Sequence, residues 1–179
     1  MAGFLFALLA SVVVGIGARD QALVAGLAKR QGARSVVLVL ALLCASASAG
    51  AATWAGVKAA PLLVPAGKAM LVALVLAAAG IELLLVRPLR DPAEPTESLF
   101  AFGAVLLAQQ LTDAARLVIF ALAAASTLPA ATALGGAIGC SLTIAAGWLF
   151  PAELRQWPLG AVRRGLGVAL LAIAAWLAF

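Results

Sequence analysis

The chain has 179 residues, 65% hydrophobic and 11% charged, with a formal net charge of +5 and a mean hydropathy of +1.16. A water-soluble domain of this length needs a polar surface that such a composition cannot supply, so a soluble globular protein is excluded. The positive charge is not a nucleic-acid signal either, because the basic residues stand at the ends of apolar runs rather than in one patch.

The apolar runs are rich in Ala, Leu and Val and none alternates with period 2, which favours helices over a barrel. The first, Phe4 to Ile16, rises only about 20 Å as a helix, against a hydrocarbon core of about 30 Å. It becomes long enough only by continuing through Arg19, Asp20 and Gln21 to Ala28, which predicts a charged pair inside a span. No Lys or Arg precedes this run and no small-x-small site follows it, so residues 1–17 read as part of a span rather than a cleaved leader. Plainer spans are predicted over 34–56 and 66–87, followed by the polar stretch "RPLRDPAEPTES".

The fourth run repeats the situation of the first. Leu99–Ala108 is too short alone and reaches Ala124 only by including Gln109, Gln110, Thr112, Asp113 and Arg116. Two further spans are predicted over 128–150 and 161–179, and Gly32, Pro61, Pro65, Pro88, Pro129, Pro151 and Pro158 punctuate the connections. Cys44 and Cys140 lie inside apolar stretches and read as packing residues rather than a disulfide.

The order of features is duplicated. Each polar-interrupted span precedes a small-residue helix, "CASASAGAATWAG" or "GGAIGCSLTIAAGW", and each half closes on an apolar helix, "KAMLVALVLAAAG" or "RRGLGVALLAIAAW". The stripes Ser46-xxx-Gly50 and Gly135-xxx-Gly139 predict close helix packing. Three spans per half give the halves opposite orientations. The expected fold is an all-α integral membrane protein of six transmembrane helices in two inverted three-helix repeats, 1–87 and 98–179, joined by a cytoplasmic linker over 88–97. Lys29, Arg30, Arg34, Arg87, Arg90, Arg155, Arg163 and Arg164 fall on one side and Lys58 and Lys68 on the other. The basic side is therefore expected in the cytoplasm and both termini outside, in the cell's inner (plasma) membrane.

An ionisable residue inside a span costs several kcal/mol to bury and is a functional candidate by default. On a continuous helix Gln109, Asp113 and Arg116 share one face with Thr112 alongside, and Asp113 reaches Arg116 at i+3. Across the halves, Asp20 with Arg116 and Arg19 with Asp113 make a geometrically attractive pairing. Glu82, close to Arg87, reads as an interfacial residue. The chain has no His, which removes the commonest proton shuttle and leaves oxygen ligands, suited to Ca²⁺, Mg²⁺ or Mn²⁺. With no nucleophile–base arrangement and no extramembrane cleft, an enzyme is not expected.

At the segments "GIGARDQ" and "QLTDAAR" the chain resembles the Gdt-type family of manganese/calcium–proton exchangers, whose two inverted three-helix halves each carry E-x-G-D-[KR]-[TS], often followed by Gln. In the first copy Gly17, Arg19 and Gln21 match, while Gly15, Ala18 and Asp20 replace Glu, Asp and Thr/Ser. In the second Asp113 matches, Gln110 stands for Glu and Thr112 for Gly. Ala114 and Ala115 replace the last two motif positions and Arg116 falls at the trailing Gln. The resemblance implies a transporter exchanging Mn²⁺ or Ca²⁺ against protons, the ion being cargo and no cofactor tightly bound. It implies Asp20 and Asp113 as metal ligands and proton carriers, with Gln21, Gln109, Gln110 and Thr112 completing a mid-membrane cation/proton site. The family pattern carries two carboxylates and one base per half. Here Asp20 and Asp113 stand against Arg19 and Arg116 and sum to zero, so the two arginines read as charge-compensating. The alternatives are a protein of the same fold that moves a zwitterion or other solute, and a non-transporting membrane subunit. Expected partners are the lipid bilayer, the transported cation and protons, with a homodimer left open; nucleic acid is not expected.

Overall fold

The computed structural model describes residues 2–31, 34–85 and 98–179. Among the described residues there are eight α-helices: α1 (Ala2–Gly15), α2 (Arg19–Gln31), α3 (Ser35–Ala59), α4 (Pro65–Leu85), α5 (Leu99–Leu111), α6 (Ala114–Ala125), α7 (Pro129–Leu149) and α8 (Leu159–Ala178). Short 3-10 turns follow α3 and precede α8. The expected linker over 88–97, with Arg87, Arg90, Pro88 and Gly32, lies outside the described residues.

Four helices are long and apolar enough to cross a membrane: α3 with its following turn, α4, α7 and α8. The first and fourth predicted spans are not single helices. Each is a bent pair, α1 with α2 at 61° and α5 with α6 at 55°, and counting each pair as one span brings the total to six. One arm of each pair rises about 20 Å, too little to cross. An upright first arm plus the projection of its bent partner rises about 30 Å.

Local chemistry explains both breaks. After α1, Gly17 adopts φ 73°, a left-handed conformation that glycine enters without penalty and that commonly ends a helix. Its N–H is taken by the Gln21 side chain at 2.7 Å. At the second break Asp113 is the N-cap of α6, in extended backbone, its carboxylate accepting from the Ala115 N–H at 3.2 Å. Asp113 therefore belongs to the start of a new helix, and the single face drawn through Gln109, Asp113 and Arg116 does not exist. Elsewhere Pro65 and Pro129 sit at helix starts, where a missing N–H costs nothing.

The long helices have readable directions. Gly3 lies beside Thr132 and Gly15 beside Thr143, so α1 and α7 run the same way. Leu40 lies against Gly103, Ser48 bonds to Gln110 and Gly56 abuts Phe120, so α3 runs with α5 and α6. Glu82 meets Arg163 while Gly80 meets Gly167 and Leu171, so α4 and α8 are antiparallel. The core forms where α3 and α7 meet the second bent pair, around Cys44, Leu106, Ile119, Cys140 and Ile144, and both thiols are free and buried.

The two small-residue stripes fare differently. Gly135 and Gly139 press on the Phe4 and Leu8 backbone of α1, as close packing requires. Ser46 and Gly50 instead face outward, and nothing approaches Gly50 within 4 Å. A Cβ at Gly135 would strike the Phe4 carbonyl oxygen, so Gly135→Ala is expected to cost about 1–3 kcal/mol. Gly165→Ala, in open space on α8, should be neutral or stabilising by up to about 1 kcal/mol. Thermal melting of both variants in one detergent checks the contrast.

Candidate functional site

The two helix breaks face one another, and the buried charges collect there. Asp20 stands in the first turn of α2, Asp113 caps α6 and Arg116 lies in its first turn. All three are almost fully buried, at 2%, 2% and 3% exposure. Arg116 Nη1 donates to Asp20 Oδ2 at 2.9 Å and to Asp113 Oδ2 at 3.3 Å. One guanidinium nitrogen thus holds two carboxylates set 93 positions apart in the chain. The expected Asp20–Arg116 and Asp113–Arg116 pairs are both present.

Neutral groups fix this triad in place. Arg116 Nε donates to Ser48 Oγ at 3.1 Å, and the Ser48 hydroxyl stands 3.0 Å from Gln110 Oε1. Gln110 Nε2 donates to Asp20 Oδ2, the oxygen that Arg116 also holds, at 3.3 Å. Asp20 Oδ1 accepts from the Gln21 N–H at 2.7 Å. Arg116 Nη2 is buried with no acceptor. Two carboxylates against one guanidinium leave the triad one negative charge in surplus, in a region of low dielectric where each charge must be paired.

The other expected residues divide. Gln21 is buried, but its amide is committed to the first break: Oε1 accepts from Gly17 and Nε2 donates to the Thr143 carbonyl at 2.8 Å. Gln109 lies at the edge of the site with its Oε1 buried and without a donor. Thr112 is exposed at the second break, donating to the Gln109 carbonyl and accepting from Arg19. Among the described residues no three His, Cys, Asp or Glu side chains gather as a metal-holding group.

Arg19 does not pair with Asp113. Its Nη2 donates to Thr112 Oγ1 at 3.0 Å and its Nε faces Glu82 Oε1 at 3.7 Å. The reason is local: Arg19 and Asp20 are adjacent on one helix, so their side chains diverge, and only Asp20 turns to Arg116. Glu82 differs from its interfacial reading as well. It is 8% exposed, and Arg163 Nη2 donates to both its oxygens at 3.2 and 3.0 Å. The Ala114 amide of α6 also faces this carboxylate. A second cluster, Arg19–Glu82–Arg163, therefore adjoins the triad. Arg163, counted by sequence among the charges of the basic side, is this buried partner; a Glu three residues inside the end of an apolar helix demands one, and that demand is the signal for it.

Comparison with protein families, with curated proteins and with solved structures finds no match to this chain.

Removing Arg116 would leave two buried carboxylates facing each other without a counter-charge. Arg116→Gln is expected to destabilise the bundle by about 3–5 kcal/mol. Adding Asp20→Asn and Asp113→Asn to the same chain should recover most of that loss, because neutral amides then replace the whole network. A denaturation cycle over the single, double and triple variants measures the coupling.

Proposed function

We propose that this chain is a multi-pass membrane transporter that exchanges a cation against protons at the crossing of its two broken spans. The observation carrying this reading is the buried Asp20–Arg116–Asp113 triad, with its surplus negative charge, set where both helices are interrupted. Ion-coupling sites of secondary transporters are typically built at such interruptions, because freed backbone groups and helix ends can face a ligand there. In this reading Asp20 and Asp113 bind the cation and carry protons, and Gln110 and Ser48 supply neutral oxygens. Arg116 stands in for the cation in the unloaded state. Its Nε remains anchored on Ser48 while Nη1 gives up the carboxylates to the incoming ion. By the family resemblance the cargo is Mn²⁺ or Ca²⁺, a charge that matches two carboxylates once Arg116 has released them.

Helix directions support an inverted-repeat plan. α1 and α2 pack on α7 of the other half, α5 and α6 pack reciprocally on α3, and α4 crosses α8 antiparallel. The crossing is itself reciprocal: Gly80 lies against Gly167 and Leu171, and Gly167 against Gly80 and Leu84. With both termini outside, the basic connections 29–34 and 155–164 and the segment 86–97 would share the cytoplasmic side.

One observation favours a second reading. Arg116 already fills the place between the two carboxylates, so the triad also serves as a neutralising strut in a membrane subunit that moves nothing. Flux separates the two. In proteoliposomes loaded with a pH dye, external Mn²⁺ or Ca²⁺ should drive proton efflux through the native protein, and Asp113→Asn should reduce it at least about tenfold. Native protein, correctly folded, that moves neither ion would sink the exchanger reading and leave the strut.

A further inference from the structure

The cluster beside the triad has the opposite imbalance. Arg19 and Arg163 share the single carboxylate of Glu82, which leaves one positive charge in surplus. Hydrogen bonding is incomplete too. Arg163 is 2% exposed, and while its Nη2 is held by Glu82, its Nε and Nη1 are buried with no acceptor. Arg19 Nε is buried and likewise without one. An unpaired buried donor on a charged group is costly, and here three of them, without an acceptor among the described residues, belong to the two arginines that share one carboxylate. The carboxylates of the triad do not serve them. Hydrogen bonds to Asp20 and Asp113 come instead from Arg116, Gln110 and the Gln21 and Ala115 amides.

The surroundings hold the two guanidinium groups in place. Gly17, at the first break, packs on Leu159 and on the Arg163 side chain, where a Cβ would come within 3.4 Å of Cδ. Thr112, at the second break, holds Arg19. Both breaks therefore orient this cluster, and on the Thr112 side it reaches the exposed surface through Arg19, whose side chain is 19% exposed.

We propose that Arg19 and Arg163 form a binding site for a small monovalent anion, a halide or a carboxylate, and that Glu82 occupies it as a tethered substitute. The arrangement mirrors the triad: one internal carboxylate between two guanidinium groups, where the triad has one guanidinium between two carboxylates. With Glu82 neutralised, the two guanidinium groups stand beside the triad's single negative surplus, and the remaining +1 matches a monovalent ion rather than a multiply charged phosphate. The enclosure of Arg163 excludes a phosphodiester carrying two acyl chains.

Neutralising Glu82 should vacate the site's charge and raise its affinity for a free anion, whereas a merely structural ion pair would only lose stability. The test titrates bromide and, separately, acetate into detergent-purified Glu82→Gln held in sodium gluconate, reading the melting temperature. The expected result is a rise of about 2–4 °C at saturation, with binding at least about tenfold tighter than in the native chain. The same rise should be lost in Glu82→Gln/Arg163→Gln. A response to bromide alone assigns a halide, and a response to acetate assigns a carboxylate. No shift with either anion in folded Glu82→Gln, or an equal shift in the double variant, overturns the proposal. Glu82→Ala, which removes both the charge and the side chain, provides the same readout if Glu82→Gln does not fold. No transport enters the measurement, so its outcome is separate from that of the exchanger reading.

Discussion

A charge placed among apolar helices must find its opposite, and in this bundle that requirement falls on one nitrogen. Arg116 Nη1 bonds both Asp20 and Asp113, residues set 93 positions apart, and by doing so fastens the first bent pair to the second. The desolvation of three charged groups is offset only if distances stay short and remaining polar atoms are satisfied. Ser48 and Gln110 meet part of that condition from α3 and α5, at 3.1 Å to Arg116 and 3.3 Å to Asp20, while Arg116 Nη2 is left without an acceptor. Four elements are thus positioned by one polar knot, and apolar packing fills the rest around it.

The knot also explains why the two helices break where they do. A continuous helix through residues 99–124 would leave Asp113 pointing out of its own backbone with no N–H to cap. Broken at Thr112, the chain offers Asp113 the Ala115 amide and turns Arg116 inward. At the first break Gly17 provides the left-handed turn, and the Gln21 side chain bonds to both Gly17 and α7. In hydrocarbon an interruption survives only where other groups take up the freed backbone atoms. Both interruptions are supplied that way, by side chains the sequence keeps within four residues.

How much of this was legible in the sequence depended on range. Apolar runs set the helices α3, α4, α7 and α8 to within a few residues, since hydropathy and length are local properties. The charged interruptions at Arg19–Asp20 and Asp113–Arg116 were also visible, as was the Asp20–Arg116 pair. The breaks were not drawn, although "GIG" and "TDAA" carry the ordinary glycine stop and Asp cap, because a run judged by its total length hides a single non-helical residue. That omission produced the false common face for Gln109, Asp113 and Arg116. The Glu82–Arg163 pair was missed for a different reason. Each residue sits within a turn or so of a helix end, where a long charged side chain ordinarily reaches water, and the antiparallel crossing of α4 on α8 encloses them.

The six buried or half-buried charges sum to zero, yet they are divided into a triad with one negative charge in excess and a neighbouring cluster with one positive. Stability alone does not require that division. A buried ion pair is often no more stabilising than apolar side chains of the same size, and a neutral bundle could be reached by matched pairs. Here each half-network leaves donors without acceptors, on Arg116, Arg19 and Arg163, and lies against a helix interruption that itself costs stability. Two costs therefore coincide at one place in the bundle, with opposite charge imbalances side by side. The N-terminus of α6 joins them, since Asp113 caps it and the following Ala114 amide faces Glu82. A ligand that changed the hold on Asp113 would thereby disturb Glu82 through two consecutive residues of one backbone.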